Sequence, residues 1–274
     1  MLVVENLSKT LPDGCCLLDG VSFTICKGEF VGILGASGAG KSLTLRCILG
    51  LTSADCGTAR FTTRGDQTFD TLQSRGRSLR EARRRIGVIF QGYNLVRRLT
   101  VLENVMLGKL AGIHPMRSWL YGFTDAEAFE AYEALERVGM EAFASRRTGS
   151  LSGGEMQRVA IARAINQKPD LYLADEPISS LDPKNARAVM KLLAPLARET
   201  PVLGVFHQPD MVAKYCTRAI GLKNGKILHD GSSQLSHRQL VDIYGEELAE
   251  ITGQPAPAET SEPARQMAGS ATAS

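Results

Sequence analysis

Hydrophobic residues along this chain form short continuous runs that alternate with longer segments in which they recur every three or four positions. Runs of five or six residues lie at 29–34, 86–90, 170–175 and 202–206. Such runs are typical of buried strands, whereas the spaced segments predict amphipathic helices. Alternating strands and helices predict an α/β fold. The 274 residues suffice for one large domain of this class, with or without a helical insertion.

Weaker patterns predict further elements around these runs. Residues 2–7 alternate weakly and predict an edge strand, and Leu17–Ile25 predicts a second strand. Residues 52–85 are polar and predict an irregular segment. The Asn224-Gly225 pair predicts a hairpin over residues 219–228, because this dipeptide favours a tight turn.

A helical pattern follows the second hydrophobic run. Thr100–Leu107 predicts one helix. The capping box formed by Thr124 and Glu127 predicts the start of another helix, which Gly139 would end. The hydrophobic stripe predicted for this second helix consists of Phe129, Tyr132, Leu135 and Val138.

Composition excludes several classes of protein. Hydrophobic residues make up 43% and charged residues 22%, as in ordinary globular proteins. No hydrophobic run approaches the roughly 20 residues that span a bilayer, and we expect no secretory leader. The six cysteines are scattered without metal-ligand spacing, which favours reduced thiols, several of them buried. Pro, Ala, Ser and Thr residues predominate from Gly253 onward and predict a disordered tail over 251–274.

The net charge of +3 is too small to indicate a nucleic-acid partner. A local cluster of arginines precedes the second hydrophobic run. It could contact phosphates or a membrane surface, or it could form the solvated face of a helix. The cluster comprises Arg75, Arg77, Arg80, Arg83, Arg84 and Arg85.

One loop carries the strongest chemical signal in the chain. It has the spacing G-x-x-x-x-G-K-[ST] and lies between a predicted strand and a helix predicted over 43–49. Its glycines allow backbone N–H groups to point at phosphate oxygens, and the following helix adds the positive end of its dipole. Lys41 would reach the terminal phosphates and the Ser42 hydroxyl would bind Mg²⁺. The loop comprises Gly35, Ala36, Ser37, Gly38, Ala39, Gly40, Lys41 and Ser42.

Three other strand ends carry polar side chains. Gln91 follows the run at 86–90, and His207 follows the run at 202–206. Carboxyl ends of strands in open α/β sheets face the ligand crevice, so both side chains are placed to meet a ligand. The third run ends in Asp175 and Glu176. In a phosphate-loop protein, the first acid would hold Mg²⁺ and the second would polarise the attacking water.

A second anion site is predicted at the start of another helix. Ser152 and Glu155 form a capping box, which would suffice to explain a stable helix start. Gly153 and Gly154 weaken a helix, however, and they leave bare N–H groups at its positive end. We expect this site to bind an anion other than the nucleotide of the chain's own loop. Asp182, before a proline, is a favourable cap of a further helix.

Over residues 1–245, the chain resembles the nucleotide-binding subunits of ATP-binding-cassette (ABC) transporters. The shared features, in the same order, are the phosphate loop, Gln91, Leu-Ser-Gly-Gly-Glu at 151–155, Asp175-Glu176, Ser-Leu-Asp at 180–182, and His207. The resemblance implies a RecA-like P-loop core over 1–91 and 157–250, with an antiparallel β subdomain. It also implies an inserted α-helical subdomain at about 92–156.

The resemblance further implies ATP and Mg²⁺ as cofactors and assigns a role to each site residue. Lys41, Glu176 and His207 would be catalytic. Ser42, Gln91 and Asp175 would bind the metal. Ser152, Gly153 and Gly154 of the signature motif would bind the γ-phosphate of ATP held by the opposite subunit. Asp182, in the D-loop, would also bind nucleotide.

Such subunits act as head-to-tail homodimers with two ATP molecules between them. The implied partners are integral membrane permease subunits and, indirectly, an extracytoplasmic substrate-binding protein, with no nucleic acid. The implied location is peripheral, on the cytoplasmic face of the plasma membrane. Three residues depart from the family pattern: Leu11 stands where an aromatic residue usually stacks on adenine, Glu155 replaces glutamine and Ser180 replaces alanine.

Within the family, residues 83–91, 93–105 and 205–210 resemble the phosphonate-importer branch, as does the insertion at 119–123. This resemblance implies an ATPase that drives phosphonate uptake. An alternative is a soluble cassette ATPase associated with a carbon–phosphorus lyase complex, and another is an ABC ATPase for a different cargo. A DNA-repair or chromosome-organising ATPase is disfavoured, because the distance from Lys41 to Ser152 leaves no room for a long coiled coil.

Overall fold

The computed structural model describes residues 1–112 and 123–252. The strands are β1 (Leu2–Thr10), β2 (Cys16–Ile25), β3 (Phe30–Leu34), β4 (Cys56–Thr62), β5 (Thr68–Asp70), β6 (Ile86–Phe90), β7 (Leu171–Asp175), β8 (Val202–Val205), β9 (Arg218–Lys223) and β10 (Lys226–Ser232). The helices are α1 (Lys41–Ile48), α2 (Gly76–Arg84), α3 (Val101–Met106), α4 (Asp125–Val138), α5 (Gly153–Asn166), α6 (Pro183–Leu196), α7 (Pro209–Tyr215), α8 (His237–Tyr244) and α9 (Glu247–Thr252). Residues 119–122 of the predicted insertion and the tail from residue 253 lie outside the described residues.

A six-stranded sheet places the ends of the predicted hydrophobic runs side by side. Its strand order is β10-β9-β3-β8-β7-β6, and all neighbours are parallel except β9 and β10, which form the predicted hairpin. In β7, Asp175 lies opposite Phe90 of β6 on one side and Val205 of β8 on the other. The residues that follow these three strands therefore meet at one edge of the sheet.

A second, antiparallel sheet has the order β2-β1-β4-β5. The prediction of an edge strand near the N-terminus was wrong, because β1 lies between β2 and β4. The prediction that 52–85 is irregular was also wrong, since it contains β4, β5 and α2. In β4 only one face is buried, through Ala59 and Phe61. Polar residues on the other face interrupt the hydrophobic run, so the sequence pattern did not indicate a strand.

The arginine cluster falls mostly on α2, whose only buried residue is Ala82. The Arg83 guanidinium donates to the carbonyls of Leu49 and Gly50 at 2.9 and 2.7 Å. It thereby satisfies carbonyl groups at the C-terminal end of α1, the helix that follows the phosphate loop.

The helical region has the predicted helices, but α4 buries a different face from the predicted one. Its capping box is confirmed: Thr124 accepts a hydrogen bond from the Glu127 N–H, and the Glu127 carboxylate accepts one from the Thr124 N–H. Phe129 and Tyr132, however, are 65% and 38% exposed. The buried residues are Ala131, Ala134, Leu135 and Val138. Small alanines at this face allow α4 to approach the neighbouring helices closely.

No helix among residues 1–112 and 123–252 is both long enough and hydrophobic enough to cross a membrane.

Burial divides the six cysteines into two groups. Cys47 and Cys216 are buried, whereas the other four are exposed. Burial raises the pKa of the Cys47 thiol to about 11 and also raises the pKa of Cys216. A raised pKa keeps the thiol protonated near neutral pH and therefore unreactive. The exposed group comprises Cys15, Cys16, Cys26 and Cys56.

We expect four of the six thiols to react rapidly with a disulfide reagent in the native protein at pH 8, and the other two only after unfolding. The measurement is a time-resolved thiol titration with and without denaturant. As a control, Cys56→Ser should lower the number of rapidly reacting thiols by one and leave the number of slowly reacting thiols unchanged. A rapid reaction of Cys47 or Cys216 in the folded protein would contradict this assignment.

Candidate active site

The phosphate loop is fixed in shape by close contacts at two glycines. It follows β3, whose five residues are all buried. A Cβ atom at Gly35 would lie 2.3 Å from the Leu222 carbonyl oxygen. Gly40 has φ 99° and precedes α1, and a Cβ atom there would lie 2.9 Å from the Leu17 carbonyl oxygen. Only glycine fits at these positions, so the loop packs directly against the neighbouring strands.

Lys41 is buried at the start of α1 and lies against its own loop. Its ammonium group donates hydrogen bonds to the carbonyls of Gly35 and Ala36 at 2.7 and 2.8 Å. Burial lowers the pKa of Lys41, and nearby carboxylates, with Glu176 the strongest, partly oppose this shift. A buried cation at a loop of backbone N–H groups favours a multiply charged anion.

Ser42 and Asp175 are brought together at the sheet edge. The Ser42 hydroxyl donates to the Asp175 carboxylate at 2.7 Å. A hydroxyl and a carboxylate are hard oxygen donors, which suit Mg²⁺. Gln91 follows β6, the strand next to Asp175, and is exposed. The described residues contain no group of three or more His, Cys, Asp or Glu side chains placed to hold a metal. The oxygen atoms of Ser42 and Asp175 fit Mg²⁺ that also takes phosphate oxygens as ligands.

Glu176 and His207 form a pair at the ends of β7 and β8. The Glu176 Oε1 atom lies 2.7 Å from His207 Nε2, and both side chains are partly buried. Glu176 has φ 49°, a left-handed conformation that costs energy for a residue other than glycine. Its N–H donates to the Val205 carbonyl, which helps to hold that conformation. An oriented carboxylate next to the phosphate loop can accept a proton from water.

Ser152 caps α5 as predicted. The Glu155 carboxylate accepts hydrogen bonds from the Ser152 N–H and hydroxyl at 2.8 and 2.7 Å, and the Ser152 hydroxyl accepts from the Glu155 N–H. These bonds, chiefly the one from the hydroxyl, lower the pKa of Glu155. The glutamate that departs from the family pattern thus completes the helix cap. The second anion site at this helix start stays a prediction.

Sequence reasoning missed Asn185, which joins Asp182 to the start of α5. Asp182 caps α6 and accepts hydrogen bonds from the backbone of Lys184 and Asn185. It also accepts one from the Asn185 side-chain amide at 2.6 Å. A Cβ atom at Gly154 would lie 2.8 Å from the carbon of that amide. The position of an asparagine three residues after a capping aspartate could have indicated its hydrogen bond to Asp182. Its contact with Gly154 could not be predicted from the sequence, because the two residues are far apart in the chain.

This contact predicts a reversal of sign between two backgrounds. In the wild-type protein, Gly154→Ala should lower the free energy of unfolding by about 1 kcal/mol, because the added methyl group displaces an amide held by Asp182. In an Asn185→Ala background, the space beside position 154 is open. Gly154→Ala should then raise the free energy of unfolding by up to about 1 kcal/mol, because alanine has a higher helix propensity than glycine. Urea unfolding of the four proteins measures the cycle. Equal effects in both backgrounds would contradict the proposed contact.

The site residues fall into two groups in one chain. The phosphate loop, Asp175, Glu176 and His207 meet at one sheet edge. The second group is formed by Asp182 and by 152–154, which Asn185 links. Among the described residues, no hydrogen bond or ion pair joins this second group to the loop. Leu11, which stands at the predicted base-stacking position, is 39% exposed.

Known proteins resemble this chain over nearly its whole length. The ABC transporter family model matches residues 18–179. A relative from Nitratidesulfovibrio vulgaris named phosphonates import ATP-binding protein PhnC is 44% identical, over 90% of this chain and 92% of its own length. A relative of the same name from Stutzerimonas stutzeri is 45% identical, over 89% of this chain and 90% of its own length.

A solved structure gives the same result for the fold. The dimeric, post-hydrolysis ATP-binding cassette MJ0796 bound to ADP and Pi is 32% identical, with a TM-score of 0.70. The match covers 86% of this chain and all of that one. The predicted cassette fold, with its two kinds of sheet, is confirmed. This chain belongs to the ABC transporter family.

Proposed function

We propose that the chain is the ATP-hydrolysing subunit of an ABC importer that takes up phosphonates through a membrane permease. The observation that carries the ATPase part is the meeting of Lys41, Ser42, Asp175, Glu176 and His207 at one sheet edge. The phosphonate part is supported by the names of the relatives, which match most of this chain.

Each of these side chains has a task that its geometry supports. Lys41 and the loop N–H groups bind the phosphates, and Ser42, Asp175 and Gln91 would hold Mg²⁺. When bound, Mg²⁺ supplies positive charge to the phosphate oxygens. Glu176 accepts the proton of the attacking water. His207 orients Glu176 through their hydrogen bond and can donate to the transferred phosphate.

A second subunit accounts for the separate group at 152–154 and Asp182. We infer that these residues bind the ATP held by a partner copy in a head-to-tail homodimer. A dimeric state is supported by the related cassette MJ0796, whose structure is a dimer bound to ADP and Pi. ATP that contacts both subunits stabilises the closed dimer by mass action, and hydrolysis removes that bridge.

Coupling to the permease is assigned to the surface around Gln91 and the helical region, about 92–156. We assign the core of the cassette to residues 1–91 and 157–250. We propose a peripheral location on the cytoplasmic face of the membrane, with the substrate-binding protein acting indirectly through the permease. No role is proposed for nucleic acid.

The test is uptake of a radiolabelled alkylphosphonate by cells whose own copy of this gene is deleted. Complementation with the wild-type chain should restore uptake, whereas Glu176→Gln should not. Glu199→Gln removes an exposed carboxylate outside the site and serves as a matched control that should restore uptake. Uptake that persists with Glu176→Gln would overturn the phosphonate assignment.

Membrane fractionation separates the two candidate partners. An importer subunit should sediment with membranes that contain its permease. The alternative, a cassette ATPase docked on a carbon–phosphorus lyase complex, would stay in the soluble fraction while phosphonate uptake is unchanged.

A further inference from the structure

A carboxylate from the end of the described chain lies on the phosphate loop. The N–H group of Ser37, the third residue of the loop, donates a hydrogen bond to Glu247 Oε2 at 2.9 Å. Glu247 begins α9 and is separated from Ser37 by 210 positions. Its carboxylate uses one of the backbone donors that the loop would offer to a nucleotide phosphate.

The packing of the preceding residues holds Glu247 in place. Ile243 of α8 lies so close to β9 that a Cβ atom at Gly221 would be 2.3 Å from its Cδ1 atom. Tyr244 and Leu248, on either side of Glu247, are buried. The Tyr244 hydroxyl donates to the His207 carbonyl at 3.4 Å, so the segment contacts a second strand end of the site.

The Glu247 carboxylate also shares the electrostatic field of the site. Glu247 and a bound phosphate carry charge of the same sign. A phosphate at the loop would accept a hydrogen bond from the same Ser37 N–H group that Glu247 uses. Both anions cannot accept the same Ser37 hydrogen bond in full, and their like charges repel each other at this distance.

We propose that Glu247 is an internal competitor for the nucleotide phosphates, which must displace its carboxylate from Ser37 to bind. The proposal rests on the proposed ATP binding and adds a residue that sets its affinity. Tyr244 and Leu248 remain packed during this exchange, while the Glu247 side chain turns away from the loop. The C-terminal segment thus lowers the apparent affinity of the phosphate loop for ATP.

The test measures binding of a non-hydrolysable ATP analogue with Mg²⁺ to the full-length chain by calorimetry. Glu247→Ala should lower the Kd about tenfold, which corresponds to about 1.4 kcal/mol. Glu247→Gln keeps the shape and an acceptor but removes the charge, so we expect a smaller gain in affinity. Glu246→Gln changes the charge at the neighbouring exposed position and should leave the Kd within about twofold of the wild-type value. Melting temperatures of all four proteins show whether each is folded.

Each outcome decides a different claim. Equal gains for Glu246→Gln and Glu247→Gln would mean a general field effect and would overturn the proposal. Weaker binding by folded Glu247→Ala would also overturn it, because the carboxylate would then be organising the loop for the nucleotide. If the wild-type chain binds the analogue and the Glu247 variants match it, only this inference fails. If none of the proteins binds the analogue, the proposed ATPase function fails with it.

Discussion

Glu176→Gln is expected to lower the rate of ATP hydrolysis by about 10²–10⁴-fold while ATP binding is retained. Glutamine has the same shape but cannot accept a proton from water. Its amide oxygen can still accept a hydrogen bond from His207, so the pair at the ends of β7 and β8 should keep its geometry. The loss should therefore appear in kcat rather than in the affinity for ATP.

The same variant should accumulate as a closed dimer in ATP. If hydrolysis is what removes the bridge between subunits, blocking it leaves the dimer as the stable state. Light scattering with size exclusion, with and without ATP, measures this shift. Glu199→Gln should hydrolyse ATP normally and show no trapped dimer. A Glu176→Gln protein that turns over ATP at the wild-type rate, or stays monomeric at saturating ATP, would exclude this role.

Lys41→Met is expected to weaken ATP binding by about 10–10²-fold. Methionine fills a similar volume but removes the buried ammonium group that faces the loop, and a hydrogen bond from a charged group contributes about 1.5–3 kcal/mol. Lys41→Arg should not restore binding, because the larger guanidinium does not fit the buried position. The measurement is the Kd for Mg²⁺ and a non-hydrolysable ATP analogue.

Lys184→Met is the matched control for this change. Lys184 is exposed at the start of α6, and its substitution should leave the Kd unchanged. The melting temperature of Lys41→Met shows whether the protein is folded. A folded Lys41→Met protein that binds the analogue as tightly as the wild-type chain would rule out the assigned contact between Lys41 and the phosphates.

The parts of the site that were predictable from sequence are those fixed by local geometry. The loop from Gly35 to Ser42 requires glycine where a Cβ atom would clash with neighbouring backbone. Its phosphate-binding function could therefore be predicted from a motif of consecutive residues. The capping boxes at Thr124 and Ser152 also depend on residues three positions apart. The hydrophobic runs indicated the central strands, because those strands are buried on both faces.

What could not be predicted depends on residues far apart in the chain. β4 buries only one face, and its partners decide that β1 is central rather than an edge. The outward position of Phe129 on α4 depends on where the neighbouring helices pack, which an isolated helical pattern does not specify. Glu247 gave no signal at all, because nothing in the local pattern relates it to Ser37.

Because of the left-handed backbone at Glu176, a substitution that stabilises the protein there can also abolish its activity. Of the common residues, glycine adopts φ 49° with least strain, so a library screened only for heat resistance should enrich glycine at this position. Every such clone would lack the carboxylate that activates water. Directed evolution of this protein therefore needs an activity screen from its first round, since thermal selection alone would favour robust but inactive descendants.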